Sequence, residues 1–146
     1  VSGAVAALVL AEDAAAAGGL PCVDGAPLQA LLIERASRWA ARVAPGRALV
    51  VGGAGPQPAG VQFAPSRGAH RGERIANAAT AAFDAYGGPL LIVSAAFPSL
   101  GPAHDGAALA DLGADCDMTI GPSTTGDWYL LGLREATPAL LQSLAA

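Results

Sequence analysis

The sequence predicts an α/β fold: a three-layer sandwich with a mainly parallel central sheet and helices on both faces. Two observations carry this. Strand-length stretches alternate with helical ones, and the strand candidates "AVAALVL", "RALVVGG" and "LLIVSAAF" are continuous apolar runs without polar alternation. The 146 residues suit one domain, 1–146. A chain of this size can bury roughly two-thirds of its unfolded surface.

The elements follow in order. "AVAALVL" (Ala4–Leu10) reads as a buried first strand ending at the acidic "AED", with "AAAAGG" as a flexible loop. From Pro27, a helix gathers Leu28, Leu31, Leu32, Arg35 and Trp39, and Pro45-Gly46 stops it. "RALVVGG" is a second buried strand, "AGPQPAG" a loop and "VQFA" a short strand. "HRGERIANAATAAFDAY" is helical, with Ile75, Ala78, Ala79, Ala82 and Phe83 on one face and Gly87-Gly88-Pro89 closing it. "LLIVSAAF" is the strongest strand, "PSLGPAHDGAALADLG" a turn and short helix, "CDMTIG" and "WYLLGL" strands, and "PALLQSL" a last helix. Right-handed crossovers place functional loops beyond the carboxyl ends of parallel strands, here after Leu10, Ser94 and Gly121.

Composition narrows the function classes. The chain is 53% hydrophobic and 14% charged, but much of the apolar fraction is alanine, which favours close helix packing. No run reaches the roughly 18 to 20 apolar residues of a spanning helix, so no membrane partner is expected. The N-terminus has no basic n-region, and the expectation is a cytoplasmic protein. Cys22 and Cys116 lack metal or redox spacing and read as buried free thiols. A net charge of −4 without a basic stripe disfavours nucleic acid. All eight basic residues are arginine, which removes P-loop, Schiff-base and Ser-Lys chemistry.

Candidate chemistry lies in the loops. Arg67, His70, Arg71 and Arg74 surround a helix start, where N–H groups and guanidinium forks suit an anion; a salt-bridged helix start is the equal alternative. Glu12 and Asp13 in the first loop would repel a triphosphate. Ser94 at a strand tip could hydrogen-bond a ligand, and His104 is near it in sequence without being placed against a serine. Asp115 and Asp117 precede a strand and read as a solvated turn, and Asp105 and Asp111 as surface or capping acids. Asp127, in "GPSTTGDWYLLGL", is the best remaining carboxylate.

"RGERIANAATAAF", "GGPLLIVSAAFPSL" and "IGPSTTGDWYLLGL" together resemble a bacterial glycosyltransferase-like family of unknown function. That family belongs to the nucleotide-diphospho-sugar transferase (GT-A) superfamily, of which this chain looks like a divergent member. The resemblance covers about the C-terminal half. It implies a Rossmann-like GT-A fold, a nucleotide or nucleotide-sugar ligand, and Mg²⁺ or Mn²⁺ if the site is active. The family's acid two residues before the proline corresponds to Ala96, and the acid of its Asp-Gly-Gly-Tyr motif to Thr125. Gly121, Pro122, Tyr129, Gly132, Pro98 and Leu100 match as structural positions, and Gly72, Glu73 and Arg74 match as well.

Substrate-binding positions are expected at Arg71 and Ser94 from the loops themselves, and at Arg74, Gly121, Pro122, Thr125, Gly126, Trp128 and Tyr129, which lie in the segments that carry the resemblance. Asp127 is the one catalytic candidate, and no metal ligands are assigned. Losing the metal-side acid and the basic first loop would strip leaving-group stabilisation. The expected function is therefore a transferase homologue with weakened or lost catalysis, serving as a ligand-binding or interaction module that pairs with itself or with a protein partner. The alternatives are a rearranged transferase using Asp127 and Arg74, and a small hydrolase using Ser94 or Ser99.

Overall fold

The computed structural model describes residues 4–19, 25–53, 55–97 and 99–145. Cys22 and Pro98, singled out from the sequence, lie outside these residues. Among the described residues, six strands form one sheet: β1 (Ala6–Leu10), β2 (Ala48–Val51), β3 (Val61–Ala64), β4 (Leu90–Ser94), β5 (Met118–Pro122) and β6 (Trp128–Leu133). The same described residues include four α-helices: α1 (Gly25–Val43), α2 (Arg71–Tyr86), α3 (Pro102–Gly113) and α4 (Pro138–Ala145).

The strand order is β3-β2-β1-β4-β6-β5. β1 pairs in parallel with both β2 and β4, and β2 with β3. β6 runs antiparallel to β4 and to β5, so it alone opposes the other five strands. The apolar runs have the reason expected of them, because β1, β2 and β4 are buried along their whole length. Alternate residues divide them between two cores. Ala7, Val9, Val50, Leu91 and Val93 pack with Leu32, Trp39, Ala108 and Leu112 of α1 and α3. Ala6, Leu8, Leu49, Leu90 and Ile92 pack with Ile75, Ala78, Ala79 and Ala82 of α2, with Leu140, Leu141 and Leu144 of α4 partly buried against them. The result is a Rossmann-like three-layer sandwich.

Several sequence expectations change. "AAAAGG" is not a flexible loop; Ala11–Gly19 winds as a 3-10 segment directly off β1, held by Ala11 and Ala14 in the core. On α1, Leu32 and Trp39 are buried, whereas Leu31 and Arg35 face solvent, because only one flank of the helix meets the sheet. Cys116 is an exposed free thiol, since the turn between α3 and β5 lies outside both cores. Asp105 is no surface acid. The first turn of α3 presses against α1, where the buried carboxylate accepts from Trp39 Nε1 at 3.2 Å and Arg42 at 2.9 Å. Asp115 and Asp117 do sit in an exposed turn, and both ion-pair with Arg134. Among the described residues no helix is long and apolar enough to cross a membrane.

Candidate functional site

The chain leaves β1 towards β2 and β3 on one side and returns through β4 on the other. At such a switch point the loops diverge and open a crevice beyond the strand ends. A cleft of about 530 Å³ lies there. Glu12 and Asp13 reach it from the segment after β1; Ser94, Ala96 and Phe97 from the tip of β4; Ser123, Thr125, Asp127 and Trp128 from the β5–β6 turn; and Arg71 from α2.

The start of α2 is locally encoded. His70 is extended at the N-cap and its Nδ1 accepts from the Glu73 N–H, while the Glu73 carboxylate accepts from the Ala69 N–H at 2.8 Å. This reciprocal cap fixes the first turn, and with it Arg71 and Arg74. Arg74 Nε donates to Glu12 Oε1 at 3.1 Å, and the Ser66 hydroxyl donates to the same oxygen at 2.6 Å. Arg71 donates to Asp13 at 3.2 Å, stands 3.7 Å from Asp127 Oδ2, and lies over the Trp128 ring at 5.6 Å. Burial works against its charge, but the hydrogen bond and charge of Asp13, then the charges of Asp127 and Glu12, outweigh it and hold the Arg71 pKa above its ordinary value. Arg71 is therefore a fixed cation throughout the accessible pH range.

The β5–β6 turn satisfies its own polar groups. Ser123 N–H donates to the Asp127 carbonyl at 2.8 Å, and Gly126 takes the left-handed φ of +87° that closes the turn. Ser123 and Thr125 hydroxyls hydrogen-bond each other at 2.8 Å, and Asp127 Oδ1 accepts from the Trp128 N–H at 2.8 Å. Behind the turn, Tyr129 packs on Phe97 and meets His104 edge-on, with ring centroids 5.3 and 5.4 Å away. Gly121 makes room for that ring, since a Cβ there would stand 2.7 Å from Tyr129 Cζ. Gly121→Ala is expected to cost about 1–3 kcal/mol by overpacking and to disturb the Tyr129 ring resonances. Urea unfolding and NMR check this; an unchanged midpoint with unmoved Tyr129 resonances would refute it.

Of the residues proposed from sequence, Arg71, Ser94, Thr125, Asp127 and Trp128 meet at the cleft. Arg74 is taken up by Glu12, while Gly121, Pro122, Gly126 and Tyr129 shape the turn and its backing. The four basic residues near α2 do not converge on one anion. Arg67 lines a different hollow beside β3, His70 caps the helix, and the other two are paired with acids. Ser94 is buried and its Oγ accepts from the Ala96 N–H, whereas His104 accepts from the Gly101 N–H. Sequence reasoning missed the partnership of Glu12 and Asp13 with these arginines, together with Ser66 and Phe97. The adjacent acids directly after the first strand were the available signal.

The donor set does not fit a divalent cation. Such an ion wants carboxylate oxygens free to coordinate it, but Glu12, Asp13 and Asp127 already accept from or pair with Arg74, Ser66 and Arg71. The positions matching the expected acids hold Ala96 and Thr125, and a cation placed beside them would face the Arg71 guanidinium.

A family described as "Uncharacterized protein conserved in bacteria (DUF2064)" matches residues 29–145. No curated protein matches the chain. Among solved structures, it is similar to one from Desulfovibrio desulfuricans G20 described as a "putative nucleotide-diphospho-sugar transferase", at 23% identity and a TM-score of 0.72. That likeness covers 95% of this chain and 68% of the other, and it concerns the fold.

Proposed function

The chain belongs to this family of uncharacterized bacterial proteins, and from that premise we propose that it is a GT-A-like domain whose metal-dependent transfer chemistry has been lost. The observation that carries the reading is Arg71 bridging Asp13 and Asp127 above Trp128. A transfer site stabilises a diphosphate leaving group with a metal and free cationic side chains. Here the acids and arginines neutralise one another across the cleft. The likeness to the Desulfovibrio protein supports an ancestral nucleotide-sugar site, and the present arrangement supports a domain retained for binding or interaction, with itself or a protein partner.

A rearranged transferase using Asp127 and Arg74 would need Arg71 to release Asp127 and Glu12 to release Arg74. Asp127 does reach the cleft, so the two readings are separated by turnover. Nucleoside diphosphate release from UDP-glucose and GDP-mannose with Mn²⁺ is expected to stay at the buffer rate. Release above that rate, abolished by Asp127→Ala, would establish the rearranged site instead.

A further inference from the structure

We propose that a second cavity, of about 350 Å³ between α1 and the segment joining β4 to α3, binds an organic anion with an aromatic or apolar body. Arg35, Arg38 and Arg42 line it, and their i, i+3, i+7 spacing sets them along one flank of α1. Trp39, Phe97 and Leu100 supply apolar wall. Among the described residues lining the cavity none is acidic.

The placement of charge is what points to a ligand. Like charges three and four residues apart on a helix repel each other. Arg38 is offset by Glu34 at 2.7 Å and Arg42 by Asp105 at 2.9 Å, but neither acid is among the described residues lining the cavity. Guanidinium groups are weakly hydrated forks that match carboxylate and phosphate oxygens, and the aromatic wall suits an apolar body attached to such a group. The first cleft has the opposite character, with three carboxylates around Arg71. Phe97 lines both, so the two spaces share one wall.

The chain's two tryptophans report separately, Trp39 from this cavity and Trp128 from the first cleft. In Trp128→Phe protein, phenyl phosphate and benzoate are each expected to change Trp39 emission saturably, with Kd about 1 mM or tighter; the tighter of the two identifies the preferred anionic group. Benzyl alcohol is expected to leave the emission unchanged. Arg35→Gln with Arg38→Gln should weaken binding by roughly tenfold while leaving the far-ultraviolet melt in place. Arg38→Gln alone, at a largely exposed side chain, should weaken it severalfold and serves if the double variant fails to fold. The proposal is overturned by no saturable change up to about 10 mM, by an equal response to benzyl alcohol, or by undiminished binding in Arg38→Gln.

Discussion

Asp105→Ala is expected to lower the unfolding free energy by about 2–3 kcal/mol. Asp105 sits 7% exposed in the first turn of α3, and one of its oxygens accepts from both Trp39 and Arg42 of α1. Removing the carboxylate leaves the Trp39 N–H, 5% exposed, without its acceptor. Arg42 is about half exposed and can turn to water, which keeps the loss below that of a fully buried pair. Asp105→Asn retains an acceptor for Trp39, so its cost should be about 1 kcal/mol. Urea unfolding followed by tryptophan emission measures both. Equal losses for the two variants would show that the charge, and not the hydrogen bond to Trp39, joins α1 to α3.

Acids placed at Ala96 and Thr125 should create appreciable metal binding only when Arg71 is removed as well. Ala96 and Thr125 line the same cleft, from the tip of β4 and from the β5–β6 turn. Ala96→Asp with Thr125→Asp adds two carboxylates where the resemblance puts acids, yet Arg71 still lies between Asp13 and Asp127 and neutralises part of the site. The double variant is therefore expected to bind Mn²⁺ only weakly. Adding Arg71→Ala frees two native carboxylates and should bring Kd to about 0.1–1 mM, roughly tenfold tighter than the double variant. Electron paramagnetic resonance of free Mn²⁺ resolves the series. If the double variant binds as tightly as the triple, Arg71 is not what closes the cleft to metal.

The sequence made the sheet legible because β1, β2 and β4 are buried on both faces, and that burial demands unbroken apolar runs such as "LLIVS". It also made the α2 face legible through Ile75, Ala78, Ala79 and Ala82. The reversal of β6 was encoded less openly, in the few residues from Ser123 to Asp127, which are too short for a parallel crossover. β5 was read correctly from "CDMTIG", though on a weaker apolar signal. It is an edge strand with Met118 and Ile120 exposed, so its residues escape the burial that shapes the central strands.

The cleft was half legible. "GPSTTGDWYLLGL" announced the turn and its aromatic backing, because a tight turn needs glycine and its neighbours in sequence are also its neighbours in space. The charge pairing was not. Asp13 and Arg71 lie 58 residues apart, Glu12 and Arg74 62, and Asp105 and Trp39 66. Pairings at that distance are set by the order of the strands and helices, not by any local pattern. Read alone, Glu12 and Asp13 repel phosphate and Arg71 attracts it; folded, they neutralise one another.

Calorimetric titration of the unaltered protein with UDP- and GDP-sugars and with nucleoside triphosphates, each with and without Mn²⁺, decides whether the cleft has given up its metal chemistry. Arg71 held by Asp13 and Asp127 predicts no Mn²⁺-dependent heat for any of these ligands. Mn²⁺-dependent binding at about 1–10 µM would contradict it.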